Sequence, residues 1–522
     1  MRPQQLVPLL CVAIVGFSGV VLGQEMPLMG SKTSYSSGAG QPYPIVQAAL
    51  QTPDVPLYGP TNLKTAPSLA SNLPSAMNAA ADASELIEQN VPVYPEADFG
   101  QRLTNLEKAN AESLAAKKKL PSVSINGVFQ ADSVLFNQTD ESRDAHGTLE
   151  NGAAFRRARL SAKGSVVENM NYFLQMDFAF FGRPTFTDVW TEFNDIPVLK
   201  NVRVGQWKQP FGLESVSSFR YTTLMERAGI FQAFVPFRHI GIGFYDHSED
   251  LNRTWAASYF RTGQDQFGGS LSTDGGNGFS GRVTDLMWYE GCKGNDYLHL
   301  GAGYYFNAPP NDATRFRSIP EIFVGEFVPS GIGTSGQPTP ALANGTPFFV
   351  DTGSLTNINN VQTFGLEGLW VRGPWSFQSE GMAAVVDQTI NPTSLLGGGY
   401  ATFGYFLTGE HRPYDRKAGA VDRVIPNHNF SQGSGLGAWE VACRWSYLDV
   451  TDDLIRGGTM QNMTLGLNWY TNPYCKFAFN YIHSWSESPD FTGMAASGPT
   501  FDNARLVNNQ TDAFAMRCQL DF

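Results

Sequence analysis

The sequence is poor in charge, in pairable cysteine and in long apolar runs. Asp, Glu, Lys and Arg make up only 16 % of its 522 residues, against about 25 % in an ordinary soluble domain. That is too little to cover a cytosolic surface. Past residue 23 no run of about 18 apolar residues occurs, which excludes a transmembrane helix. The five cysteines, at positions 11, 292, 443, 475 and 518, show no CxxC or other metal-like spacing, so a zinc or iron-sulfur centre is not expected. The seven histidines form neither HxH nor HExxH, no GxSxG elbow is present, and the aspartates from Asp449 to Asp453 lack the Gly-and-Glu frame of a calcium loop. The carboxylates are numerous, yet nothing singles out a glycosidase-like acid pair. A net charge of -12 supplies no basic patch for phosphate neutralisation, so nucleic acid is excluded as a partner. No catalysis, metal or cofactor is expected.

What is abundant belongs to strands and turns. The chain holds 53 Gly, 37 Phe, 19 Tyr and 10 Trp, a composition that rules out a helical bundle and leaves a barrel as the form any membrane role must take. Arg2 followed by the apolar stretch Leu6 to Leu22 reads as a signal peptide over residues 1–23. Residues 24–95 are rich in Pro, Ala, Ser, Gln and Gly and read as a flexible linker. Over 96–120 the spacing of Phe99, Leu103 and Leu106, continued by Asn110 and Ser113, is that of a short coiled coil. Three apolar positions fit a trimerising stub or a solitary surface helix.

From Pro121 onward the period becomes two. Trp439, Val441, Cys443, Trp445 and Tyr447 alternate with Glu440, Ala442, Arg444 and Ser446, giving one apolar, aromatic face and one small or charged face. On such a face Cys443 and Cys475 read as lipid-facing or packed residues rather than as a bridge. Sixteen runs of this kind begin near residues 122, 153, 170, 185, 201, 239, 252, 280, 297, 361, 375, 400, 437, 459, 474 and 512. Each has the length a tilted strand needs to cross a bilayer. The fold class is therefore all-β, a transmembrane antiparallel barrel of about sixteen strands over 121–522. Parity puts the connections 210–238, 308–360 and 486–511 on the outer side, and 410–436 on the periplasmic side. A long periplasmic connection breaks the usual pattern and raises the question of a missed strand pair. The last run ends on Phe522, and a terminal Phe closing such a strand resembles the assembly signature of bacterial outer-membrane barrels.

Several strings carry a more specific likeness. Phe155-Arg156-Arg157-Ala158-Arg159-Leu160, then Val202 to Glu214 (VRVGQWKQPFGLE), Leu407 to Tyr414 (LTGEHRPY), Gly437 to Arg444 and Leu465 to Tyr470 (LGLNWY) stand in the order and form of the phosphate-selective porin O and P family, which residues 121–522 resemble. The resemblance implies a trimeric, sixteen-stranded outer-membrane channel with an inward loop narrowing the pore and an Arg and Lys lining for anions. It implies small anionic solutes such as phosphate as cargo, with outer-membrane lipid, lipopolysaccharide and the assembly machinery as surroundings. Carried over by residue, Arg157, Arg159 and Lys163 share one strand face and are expected in the lumen. Ser217, Ser218, Arg220, Arg227 and Arg238 become candidate anion donors on or beside the inward loop Glu214 to Arg238, since guanidinium forks and hydroxyls replace the hydration of an oxyanion. The competing structural role for these arginines is to brace the loop against Glu214 and Glu226. Lys208 falls with lipid-facing Val202 and Val204 unless a bulge intervenes. The barrel portion is acidic, with 28 Lys and Arg against 39 Asp and Glu, and Leu251 to Arg261 offers only Arg253 and Arg261.

The sequence thus predicts an outer-membrane porin for passive diffusion of small hydrophilic solutes, anions in particular. The alternative from another class is an exported β-rich surface protein, adhesin-like or carbohydrate-active, that binds through its long loops.

Overall fold

The computed structural model describes residues 101–522 apart from 102, 106, 109–119, 180–183, 264–274, 292–293, 326–345, 432–434, 453 and 490–504. The signal peptide, the linker and the positions Phe99, Leu106, Asn110 and Ser113 lie outside the described residues. Leu103 and the described residues around it are helical, and Leu103 is 52 % exposed.

Twenty strands follow: β1 (Ser124–Gln138), β2 (Gly152–Val167), β3 (Met170–Asp177), β4 (Thr185–Ile196), β5 (Lys200–Lys208), β6 (Arg238–His247), β7 (Arg253–Arg261), β8 (Asn277–Glu290), β9 (Asp296–Ala308), β10 (Arg317–Ser318), β11 (Val350–Asp351), β12 (Ile358–Arg372), β13 (Trp375–Gln388), β14 (Ser394–Phe406), β15 (Tyr414–Asp415), β16 (Ala420–Val421), β17 (Ala438–Asp452), β18 (Ile455–Asn472), β19 (Cys475–Pro489) and β20 (Leu506–Asp521). Sixteen of them close into one antiparallel barrel in sequence order, β1 to β9, β12 to β14 and β17 to β20, with β20 pairing back onto β1. The remaining four form two small ribbons, β10 with β11 and β15 with β16. Each barrel strand begins within six residues of a run read from the sequence.

Alternation explains the two surfaces. Outward positions such as Phe155, Leu366, Phe377, Trp445, Leu465 and Phe514 are exposed, whereas inward Glu440, Arg444, Asn468 and Arg517 are buried inside the barrel. Apolar-out and polar-in is the pattern of an outer-membrane barrel. Cys443, Cys475 and Cys518 are free thiols on outward faces.

Short turns such as Glu168–Asn169 and Pro473–Tyr474 lie at the end where β20 finishes, which is the periplasmic end. There Phe522 and Gly127 exchange backbone hydrogen bonds of 3.0 and 2.9 Å. The Phe522 ring lies over Gly127 so closely that a Cβ there would meet it at 2.3 Å. Glycine is what lets the last residue seal onto the first strand.

Three connections turn into the lumen. From the outer end come 209–237, carrying the helices Leu213–Val216 and Ile230–Phe234, and the described parts of 309–357, carrying β10 and β11. They bury Ile230, Phe231, Phe234, Phe316 and Phe349 against inward Met382, Ala384, Leu396, Leu448 and Met460. The inward face of β13 is accordingly apolar in its outer half, with Met382, Ala384 and Val386, and polar in its periplasmic half, with Ser376, Gln378 and Glu380. From the periplasmic end comes 407–437. Among the described residues it adds no strand to the barrel and carries the ribbon β15–β16 and an isolated bridge between Ser431 and Gly435. It is long because it folds inward, where Val421 N donates to Ser217 Oγ at 3.1 Å and Arg282 Nη2 to the Gly419 carbonyl at 2.7 Å.

Candidate permeation site

Cations of the wall and of the loop itself hold the inward connection 209–237 in two different ways. The first begins with a register slip in β1–β2, where Gln130 opposes Arg157 and Ala131 opposes Phe155, leaving Arg156 unpaired. Such a bulge sends two consecutive side chains to one side, while Phe155 points outward and is 64 % exposed. Arg156 then grips Glu226 with Nε at 2.8 Å and Nη2 at 3.1 Å. Arg157 lies 3.7 Å from the same carboxylate and donates to Gln130 Oε1 at 2.6 Å. From β20, Arg517 reaches Glu226 at 2.7 Å and holds Asp132 with two nitrogens at 2.7 and 2.6 Å. Burial alone would raise the Glu226 pKa, but Arg156, Arg157 and Arg517 outweigh it and hold the carboxyl well below the usual range. Arg444, buried on β17, pairs with Glu321 of the connection 309–357, lies 3.9 Å from Glu214 and donates to the Glu226 carbonyl at 3.0 Å.

The second group is held by carbonyls. Gly205, at φ +129°, interrupts the alternation of β5 where a Cβ would strike the Val189 carbonyl at 2.3 Å. Beyond it Gln206 is buried, and Lys208 Nζ donates to the carbonyls of Val216 and Ser217 at 3.0 and 2.8 Å and to that of Ser215. Lys208 therefore faces the loop rather than lipid, through a break in alternation at Gly205 and with no register shift against β6. Arg227 donates through Nε to the Glu214 carbonyl at 2.6 Å and through Nη2 to the Ser217 carbonyl at 3.0 Å. Among the described residues neither Lys208 nor Arg227 forms an ion pair. Burial lowers the Arg227 pKa, although Glu214 and Glu226 pull it upward. Burial also raises the Glu214 carboxyl against the opposing pull of Arg444 and Arg227.

The remaining sequence candidates are distributed along the same lumen. Arg159 pairs with Asp177 at 2.7 Å, and both it and Arg157 lie 4.7 Å from the Phe219 ring centroid, a cation–π geometry. Lys163 is exposed further down the same face. Ser217 Oγ accepts from Val421, and Ser218 Oγ accepts from Arg220 N at 3.4 Å. Arg220 lies 3.8 Å from Asp521 and Arg238 2.7 Å from Asp188. Bracing by Glu226 is thus real, yet it engages Arg156, Arg157 and Arg517, while Arg220, Arg227 and Arg238 find other partners.

Sequence reasoning gave no role to Arg156, Arg444 or Arg517, nor to the periplasmic connection's Arg412. A signal for Arg156 was present: two consecutive arginines in a spanning strand put one into lipid, at about 2–4 kcal/mol near the midplane, unless a bulge intervenes. Arg412 donates to the Thr223 hydroxyl and to the Tyr221 carbonyl at 3.1 Å and lies 3.5 Å from Glu440, so the inward loop is held from the periplasmic side. Beside Lys208 lies a cavity of about 250 Å³ whose lining includes Asp188, Arg203, Arg282 and Lys417. Among the described residues no group of three His, Cys, Asp or Glu is arranged to hold a metal.

The profile of the phosphate-selective porin O and P family matches residues 123–522. Porin O of Pseudomonas aeruginosa is 25 % identical over 393 residues, covering 71 % of this chain and 84 % of that protein. An uncharacterised protein of Caulobacter vibrioides is 26 % identical over 341 residues, 63 % of this chain and 62 % of its own length. Among solved structures, the anion-selective porin from Comamonas acidovorans aligns at a TM-score of 0.45 and 10 % identity, over 77 % of this chain and 99 % of that one. With a family match spanning the whole barrel and a closed sixteen-stranded wall, the chain belongs to the phosphate-selective porin O and P family, outer-membrane porins of bacteria.

Proposed function

We propose that this porin passes small anions, phosphate among them, by diffusion past the inward loop, with no catalytic step and no cofactor. The observation that carries this reading is the pair Lys208 and Arg227. Both converge on the carbonyl end of the Leu213–Val216 turn, beside the cavity, and carbonyl dipoles hold them without cancelling their charge. A low-dielectric wall strengthens such a field. Arg159, Arg220 and Arg238 stand along the same lumen as donors already facing Asp177, Asp521 and Asp188, and Ser217 and Ser218 supply hydroxyls, while Lys163 marks its periplasmic mouth. Several spaced cations bind weakly enough for release, as conduction requires. The proposal extends to a homotrimer, with residues 1–23 directing export, 24–95 a tether, 96–120 aiding association, and Phe522 read by the assembly machinery. Adding millimolar phosphate to a chloride-conducting channel in a planar bilayer tests the cargo. Chloride conductance should fall, and Arg227→Ala should weaken the block. An unaltered chloride current would remove phosphate from the cargo.

A further inference from the structure

The outer wall of β18, β19 and β20 changes character at one height. Register sets outward side chains in cross-strand rows, and the lower rows are apolar: Leu467–Phe479–Met516 and Leu465–Tyr481–Phe514. The next row is Met463–His483–Asp512, where Asp512 accepts from Tyr481 at 2.8 Å and lies 2.6 Å from His483 Nδ1. Above it stand Gln461–Trp485–Gln510 and Thr459–Glu487–Asn508. From Phe522 to Asp512 a strand tilted by about 40° climbs roughly 25 Å, the height of an apolar band. The two polar rows therefore begin where hydrocarbon ends.

These rows line a cavity of about 400 Å³, overhung by Thr139 and Glu141 at the start of the helix Asp140–His146. The overhang is fixed, since Thr139 N donates to the Gln510 carbonyl at 3.2 Å and Ser142 Oγ bonds Thr511 Oγ1 at 2.7 Å. Trp485 is 41 % exposed within it, flanked by an amide on each side. The lining contains no Lys or Arg, so the cavity is not built for a phosphate. An aromatic face bordered by Gln, Asn and Glu suits a hexose or hexosamine ring, whose apolar CH face lies on indole while its hydroxyls meet amides and carboxylates.

We infer that this rim cavity binds a saccharide ring in the head of an outer-leaflet glycolipid. The glycolipid is favoured over a free sugar because Gln461, Trp485 and Gln510 stand on the outward face of the wall, directly above the lipid-facing rows. The inference is independent of the anion reading, since Trp485 faces away from the pore.

The test uses the full-length protein purified from outer membranes, with bound lipopolysaccharide counted by native mass spectrometry during detergent washing. Wild type should retain glycolipid, and Trp485→Leu should lose it about tenfold more readily, the scale of one anchoring contact. Gln461→Leu with Gln510→Leu should do the same. Unchanged single-channel conductance in each variant certifies the fold. A glucosamine disaccharide lacking acyl chains should compete for the site. Equal retention by wild type and variants would overturn the inference. So would loss of glycolipid on chelating divalent cations with no effect of the variants, which would assign retention to ion-bridged phosphates, or a purified oligomer in which a second copy covers Trp485.

Discussion

Two groups of cations meet the same inward loop, and they differ in what neutralises them. Around Glu226, the guanidiniums of Arg156, Arg157 and Arg517 find carboxylates at ion-pair distance, with Asp132 as a second acceptor. Around the Leu213–Val216 turn, Lys208 and Arg227 find backbone carbonyls instead. The first arrangement spends its charge on holding the loop. The second leaves its cations on carbonyls, with no carboxylate at ion-pair distance among the described residues, in a barrel that is acidic overall. Both are needed, because a confined cation acts on a passing ion only if the segment that carries it stays in place.

The comparison can be broken from either side. Glu226→Gln should have the largest effect, because it removes the carboxylate that Arg156, Arg157 and Arg517 share and leaves only Arg517 paired, to Asp132, and breaking a buried pair costs about 3–5 kcal/mol. Heat-modified mobility on unboiled gels should show the barrel losing its folded band at a markedly lower temperature, with assembly reduced. Next, Lys208→Ala with Arg227→Ala should leave the barrel folded and shift the zero-current potential toward neutrality by several-fold in the permeability ratio. A double variant with unchanged selectivity would mean that the carbonyl-held pair is structural as well.

Acid separates the two groups more gently. Glu214 carries a raised pKa, so on falling pH it loses its charge before a free glutamate does, and the field of Arg227 and Arg444 is less cancelled. Anion preference should therefore strengthen between neutral and mildly acid pH, as measured by zero-current potential across that window. Glu226 behaves oppositely. Its folded pKa lies below the unfolded value, so its stabilising contribution is full above the ordinary carboxylate range and is lost only as pH falls through the depressed folded value. Folded barrels should thus persist through the window in which selectivity changes. The smallest effect is expected for Lys163→Ala, which removes an exposed side chain and should alter stability by no more than about 0.5 kcal/mol and selectivity slightly.

Much of the fold was legible because a spanning strand has to alternate. The run from Trp439 to Tyr447 places itself without help, and so did all sixteen barrel strands. What escaped was whatever depends on breaking that rule or on a distant partner. Arg156 enters the lumen through a bulge set by the β1 register, and Lys208 reaches the loop past Gly205 at φ +129°. Neither change of parity is written in a period-two pattern, although Arg156 beside Arg157 was a hint. The inward course of 407–437 was invisible for another reason. Arg412, Gly419 and Val421 are held by residues more than a hundred positions away in sequence, and only the length of the connection signalled anything. Candidate donors such as Arg227 and Arg238 were found by residue type, but their partners, the Glu214 carbonyl and Asp188, were not.

The most direct test is the zero-current potential of the unmodified porin in a planar bilayer under a KCl gradient at neutral pH. Charges within about 4–6 Å of a permeating ion outweigh loop carboxylates lying beyond a Debye length of roughly 8 Å. The potential should therefore take the sign of chloride preference despite the acidic barrel. A potential of the sign of potassium preference would contradict the account, and would show that Lys208 and Arg227 serve the loop alone.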